Sequence, residues 1–281
     1  TVKGILETTL RDKKTTIRCN LNKVSPDELK IMLENEGVSV EYGAYLSYAF
    51  RIENYNYLNA LNAFNKGYFQ VQDESSMLVG AVSGIKEGDV VIDVCAAPGG
   101  KSLHAAELLH STGQVSSRDV SDYKVNFIVD NINRLGYTNI TAKVQDALVL
   151  DEESIEKADV LLADLPCSGL GIIGKKPDIK YNVTKEKQKE LVRLQRDILE
   201  VVHQYVKKGG TFIYSTCTIN PEENIENVRW FMKQYHFKAE SLNPYLPEIL
   251  WSDTTKEGYL QLIPGIHQCD GFFIARLRRE H

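Results

Sequence analysis

The sequence predicts an α/β protein built on a doubly wound, mostly parallel sheet, with a small α/β module in front of it. Short apolar segments alternate with helical patterns from Asp89 to Tyr235, the order that gives parallel strands covered by helices on both faces. Between one such strand and the next helix lies the glycine turn Ala97-Pro98-Gly99-Gly100-Lys101. Three acids, Asp119, Asp146 and Asp164, follow successive strands, at the carboxyl ends where open α/β sheets bind their ligands.

Taken in order, Thr15–Cys19 alternates as a strand, and Ser25 starts a helix with Pro26 in its first turn and Glu28 closing a capping box. That helix ends before Gly37. Val38–Val40 and Tyr45–Arg51 read as further strands, which sets the small module at residues 1–65 and leaves residues 66–281 to the larger domain. There, Gln72-Asp73 precedes an apolar helix, Met77–Val82, and reads equally as its polar N-cap or as a part of a cofactor pocket. The alternation then runs through strand Asp89–Asp93, helix Leu103–Leu109, strand Gln114–Asp119, helix Asp122–Leu135 and strands Ile140–Val144 and Asp159–Ala163. It continues with helix Thr184–Val206, strand Thr211–Ser215 and helix Pro221–Tyr235, and Tyr259–Ile263 and Gly271–Arg278 supply late strands. Thr184 and Gly209-Gly210 read as the start and stop of the long helix. Asn220-Pro221-Glu222-Glu223 reads as a cap, a first-turn proline and acids favoured by the helix dipole.

With 281 residues, 43% hydrophobic and 25% charged, the composition is that of a globular protein. No apolar run approaches the roughly 18 residues of a membrane span, and no secretory pattern opens the chain, so a cytoplasmic location is expected. Five widely spaced cysteines without a Cys-x-x-Cys pair fit free thiols in a reducing compartment, and neither they nor the histidines have the spacing of a metal site. The net charge of −5 is not that of a strongly basic nucleic-acid binder. Its distribution is uneven, however: eight basic residues face three acidic ones between Lys175 and Arg196. The loop Gly174–Lys180 is expected to touch phosphate, against a solvated helix face for the rest. Lys3, Arg11, Lys13, Lys14, Arg18 and Lys23 form a second basic cluster.

The glycine turn departs from two better-known loops. Gly100-Lys101-Ser102 matches the end of a phosphate-cradling loop, but Cys95 stands where its first glycine belongs. The dinucleotide fingerprint is missing too, because Gly99 and Gly100 are adjacent with no third glycine at the required distance. A strand, a tight turn and a helix N-terminus still suit an adenine-bearing cofactor.

Asp93-Val-Cys-Ala-Ala-Pro-Gly-Gly-Lys-Ser102, Asp164-Leu-Pro-Cys-Ser-Gly169 and Tyr214-Ser-Thr-Cys-Thr218 together resemble the RNA (cytosine-5) methyltransferases of the RsmB group, also called the Fmu/Sun family. The resemblance runs from about Tyr68 to Arg279, more weakly before that. It implies a Rossmann-like methyltransferase sheet, S-adenosylmethionine as methyl donor and RNA, above all small-subunit ribosomal RNA, as substrate. The first module would be a compact RNA-recognition-like fold; of the NusB-type helical domain that precedes it in the RsmB protein this sequence shows nothing. By the same resemblance Cys95, Ala96, Ala97, Pro98, Gly99, Gly100 and Lys101 hold the cofactor. Asp119 holds its ribose, Asp146 its adenine end, and Asp164 lies beside its methionine part and the target base. The strand before Asp119, Val115-Ser116-Ser117-Arg118, is more polar than a buried central strand should be, which leaves Asp122 as the other candidate for the ribose.

Carbon 5 of cytosine is a poor nucleophile. A thiolate added at carbon 6 turns the ring into an enamine whose carbon 5 attacks the sulfonium methyl, after which the carbon 5 proton and the thiolate leave. Cys167 and Cys217 each end a predicted strand on the same sheet edge, and spacing does not decide between them. DNA cytosine-5 methylases place their nucleophile in a Pro-Cys like that of Cys167. The RNA family uses the cysteine of Ser-Thr-Cys-Thr, here Cys217, and leaves the Pro-Cys thiol to assist product release, so the resemblance implies Cys217 with Cys167 and Asp164 in support. Transfer RNA as substrate, a non-catalytic RNA-binding assembly factor and a DNA methylase are the alternatives.

Overall fold

The computed structural model describes residues 4–5 and 14–280; the basic positions Lys3, Arg11 and Lys13 lie outside the described residues. Two sheets organise the chain. The smaller has the order β2-β3-β1-β4, with β1 at Thr15–Cys19, β2 at Ser39–Tyr42, β3 at Ala49–Glu53 and β4 at Phe69–Val71. All its pairings are antiparallel. Helix α1, Pro26–Asn35, joins β1 to β2 and begins with the predicted box: Ser25 accepts from the Glu28 amide while the Glu28 carboxylate accepts from Ser25. The fourth strand comes from beyond Asn65, so this sheet draws on both sides of the sequence boundary.

The larger sheet has the order β10-β12-β9-β8-β5-β6-β7, with β11 beside β12. Its parallel centre is β5 (Val90–Asp93), β6 (Gln114–Asp119), β7 (Ile140–Val144), β8 (Ala158–Asp164) and β9 (Val206–Thr216). β10 (Phe237–Ala239), β11 (Tyr259–Leu262) and β12 (Phe272–Arg279) extend it antiparallel. Side chains on a strand alternate between faces. Val91, Val160 and Ile213 accordingly pack against α2 (Glu74–Ser83) and α3 (Gly100–Leu108). Their neighbours Ile92, Leu161 and Phe212 pack against α5 (Lys185–Val202) and α6 (Ile225–Gln234) on the other face. Between these helices in sequence lies α4, Asp122–Leu135, as the periodicity predicts.

Two expectations change. Gly209-Gly210 does not stop the long helix: α5 ends at Val202, and the glycines lie inside β9, where the register to β8 shifts and Gly209 has φ 73°. The Pro221 segment is a turn, and α6 starts at Ile225. The polar strand β6 is buried nonetheless, because its side chains have partners. Arg118 pairs with Asp151 at 3.2 Å and donates to Ser154, and Ser117 meets Ser102, which donates to Asp93 at 2.6 Å.

The two sheets are joined by buried polar contacts. Arg18 of β1 pairs with Glu107 of α3, both almost fully buried, and donates to Gln72. The buried Glu74 carboxylate accepts the amides of Ala44, Tyr45 and Leu46. Arg18 therefore does not belong to a basic surface cluster. Among the described residues no helix is long and apolar enough to cross a membrane.

Candidate active site

A cleft of about 390 Å³ lies beyond the carboxyl ends of the parallel strands, as the fold class requires. Its lining includes Cys95, Ala97, Asp119, Asp146, Asp164, Cys167 and Cys217, with apolar wall from Val120, Leu148 and Leu165. Residues from the ends of five strands, β5 to β9, thus meet in one place. Asp119 lines the cleft; Asp122, exposed at the start of α4, does not.

The glycine turn sits behind this cleft. Gly99 has φ 103°, the left-handed region that favours glycine, and a Cβ there would meet Ile128 at 3.2 Å. The amides of Ala96, Ala97 and Gly99 are taken within the protein, by the Arg118 carbonyl, Asp119 Oδ2 and the Ala96 carbonyl. Ala96, Pro98, Gly99 and Gly100 do not line the cleft; they form the turn that presents Cys95 and Ala97. Burial pushes the Cys95 thiol up, so it is a neutral wall residue. Asp119 also accepts from Val120 at 2.8 Å and pairs with Lys124 at 3.0 Å, while Asp146 accepts from the Leu148 amide.

Lys101 leaves the turn and reaches Asp164, its Nζ 2.6 Å from Oδ2. Burial alone would lower its pKa, but the Asp164 carboxylate raises it, so Lys101 is charged. Ser215 donates to the other Asp164 oxygen at 2.8 Å. Beside this pair the two thiols meet, Cys167 Sγ 3.3 Å from Cys217 Sγ. A hydrogen bond from Cys167, with help from Lys101 and Lys176, lowers the Cys217 pKa against its burial; the same bond and burial raise that of Cys167. The arrangement favours one thiolate, at Cys217, and one thiol, at Cys167. A lowered pKa is what makes a cysteine nucleophilic at neutral pH.

Glu223 holds the two thiol-bearing loops together, and the sequence reading missed it. It is fully buried and accepts from the Ser168 amide at 2.9 Å, Ser168 Oγ at 2.6 Å, Gln195 at 3.1 Å and Asn220 at 3.0 Å. Ser168 Oγ in turn contacts Thr218 Oγ1 at 2.7 Å, so the residues following Cys167 and Cys217 are tied to each other. An acid at a helix start gives no sign of such a role. Gly171 adds a second tie: its amide donates to the Cys217 carbonyl and its carbonyl accepts from Gly271. A Cβ at Gly171 would come within 2.0 Å of the Gly271 oxygen.

Lys175, expected to touch phosphate, is occupied. Its Nζ lies 2.7 Å from Asp73 and 2.6 Å from Asp270, fastening the loop after Cys167 to the start of α2. Asp73 is also the N-cap of that helix, accepting from the Ser75 amide.

The family model for 16S ribosomal RNA methyltransferase RsmB/F matches residues 82–278. A probable ribosomal RNA small subunit methyltransferase B from Bacillus subtilis is 38% identical over 95% of this chain and 60% of its own length. The ribosomal RNA small subunit methyltransferase F of Cronobacter sakazakii is 33% identical over 96% of this chain and 58% of its own. This chain thus spans about three-fifths of the length of these relatives. Among solved structures, PH0851 superposes with a TM-score of 0.92 at 32% identity, over 99% of this chain and 62% of that one.

Proposed function

Since this chain belongs to the RsmB/F family of 16S ribosomal RNA methyltransferases, we propose that it methylates carbon 5 of a cytosine in small-subunit ribosomal RNA, in the cytoplasm, through a covalent cysteine–cytosine adduct. The observation that carries this is the contact between Cys167 and Cys217 beside the Lys101–Asp164 pair. Two adjacent thiols with opposed pKa shifts suit a reaction in which a sulfur must attack and later leave.

The cleft fits S-adenosylmethionine by its donor set. Asp119 and Asp146 offer carboxylate oxygens to ribose hydroxyls and the adenine end, Val120 and Leu148 offer apolar wall to the base, and Asp164 suits a cationic methionine end. When bound, this molecule supplies an electrophilic methyl group. The protein's own residues do the rest. The target nucleotide leaves its stack and its ring is steadied by Asp164, whose oxygens Lys101 and Ser215 hold in place. The Cys217 sulfur adds to carbon 6, and the ring's electron pair becomes available at carbon 5. After methylation the carbon 5 proton passes to solvent, its electron pair re-forms the carbon 5–carbon 6 double bond, and the bond between Cys217 and carbon 6 breaks with the sulfur leaving as thiolate, which Cys167 stabilises by its hydrogen bond. The small antiparallel sheet, joined to the larger one through Arg18 and Glu107, is the proposed RNA-binding module.

The test separates the thiols. With ribosomal RNA and S-adenosylmethionine, Cys167→Ala should accumulate a slow-migrating protein–RNA band on a denaturing gel, and Cys217→Ala and the double variant should show neither band nor turnover. The reverse pattern would make Cys167 the nucleophile. Bisulfite sequencing of RNA treated with the unaltered protein should reveal a protected cytosine, and its absence from every RNA tried would end the proposal.

A further inference from the structure

Cys167 lines two clefts. On its other side is a cavity of about 510 Å³, within the roughly 300–1,000 Å³ typical of small-ligand sites. Its walls include Pro177, Ile179, Val183 and Leu191, and Lys176 and Lys187 stand at it as cations. Both lysines are exposed, and among the described residues no ion pair engages either, whereas Lys175 is spent on Asp73 and Asp270. Asp178 is the one acid in the lining. The single-turn helix Ile179–Asn182 gives Ile179 and Asn182 to the lining; Tyr181, on the same turn but outside the lining, is 76% exposed, with Lys180 Nζ 4.8 Å from its ring centroid. The loop that forms the cleft is tied to the Cys217 backbone through Gly171 and to the start of α2 through Lys175.

From this juxtaposition we infer that the second cleft holds an unpaired RNA nucleotide adjacent to the target, with Lys176 and Lys187 on its phosphates and Tyr181, outside the lining on the same turn, offering its ring to the next base of the strand. This rests on the RNA reading above and narrows it: the substrate is a single-stranded or looped segment. Apolar wall, exposed aromatic and free lysines are the combination that binds unpaired strands, through stacking and phosphate neutralisation. A base held inside a duplex stack cannot enter such a cleft.

The test is fluorescence anisotropy with a short, labelled, unpaired oligoribonucleotide containing one cytosine, and with the same strand annealed to its complement. Tyr181→Ala should weaken binding of the unpaired strand about tenfold. Lys187→Ala should weaken it too, and should reduce the slope of log affinity against log salt by about 0.7. Binding of S-adenosylhomocysteine, measured in parallel, should stay unchanged, which excludes misfolding. Unaltered affinity and salt slope in both variants, or equal affinity for the duplex, would overturn the inference without touching the methyl-transfer reading. Groove-dependent RNA binding by a protein that never methylates RNA would support the cleft and overturn that reading instead.

Discussion

Replacing Glu223 tests whether one buried carboxylate holds the two thiol loops in register. Glu223→Ala removes the acceptor for four donors, but the losses are unequal. Gln195 Nε2 keeps the Pro166 carbonyl at 2.8 Å, Ser168 Oγ keeps Thr218, and Asn220, only half-buried, reaches water. The Ser168 amide is left with nothing. An orphaned buried amide costs about 1–3 kcal/mol, and each bond to a charged group that is lost but partly replaced costs somewhat under 1 kcal/mol. Together this is about 3 kcal/mol, a large share of the roughly 5–15 kcal/mol that holds a domain folded.

Glu223→Gln behaves differently. Its amide oxygen can take the place of Oε2 and keep the Ser168 amide and Gln195, while its NH₂ meets a Ser168 hydroxyl that can turn to accept. A cost nearer 1 kcal/mol is expected. In urea, with an m-value of roughly 3 kcal/mol/M for a chain of this size, Glu223→Ala should lower the midpoint by about 1 M and Glu223→Gln by about a third of that. Adduct formation in the Cys167→Ala background should fall with Ala and persist with Gln. A Glu223→Ala midpoint equal to that of the unaltered protein would refute the reasoning. Equal damage from Gln and Ala would show that charge, not the count of donors, is what matters.

Asp119→Ala and Asp146→Ala should each weaken S-adenosylhomocysteine binding about tenfold, the worth of one hydrogen bond to a charged group, and leave RNA affinity as it was; calorimetry giving wild-type affinity for both would remove them from the cofactor site. Asp73→Asn keeps the helix cap and deletes only the charge. Burial alone would raise the Asp73 pKa, yet Lys175 and the hydrogen bonds around it bring it down to about 2, against about 3.9 in an unfolded chain. A depressed carboxylate stabilises the fold above the unfolded value and loses that contribution as pH falls through the folded one. The Asn variant should therefore unfold about 1–2 kcal/mol more easily at pH 7, allowing for the partly exposed Lys175, with the difference closing toward pH 2. A gap that stays constant with pH would mean the ion pair contributes nothing.

How much of this was legible in the sequence follows from how far away each partner sits. The capping box at Ser25 and Glu28, the helix Asp122–Leu135 and the strands Gln114–Asp119 and Ile140–Val144 depend on neighbours within a few residues, and each was bounded correctly. The short strands Phe69–Val71 and Phe237–Ala239 exist only because distant strands pair with them, and periodicity over three residues carries no signal. Gly209-Gly210 looked like a helix stop because a bulge inside a strand uses the same residue for the same positive φ. The strand-end acids and the two cysteines were legible because a parallel sheet delivers strand ends to one edge whatever the loops do.

Charge was the quantity least legible. A count along the chain treats every lysine and arginine alike, but Arg18 is paired with Glu107, 89 residues away, and Lys175 with Asp73, 102 residues away. Both leave the inventory of cations open to a phosphate. Lys101 leaves it as well, held by Asp164. Lys176 and Lys187 stay exposed in the lining of the cleft that Cys167 shares, fewer cations than the sequence total suggests. Under the proposed function, a chain of net charge −5 binds RNA without being basic overall, because local unpaired charge beside Cys167, and not the sum over the surface, would meet the strand.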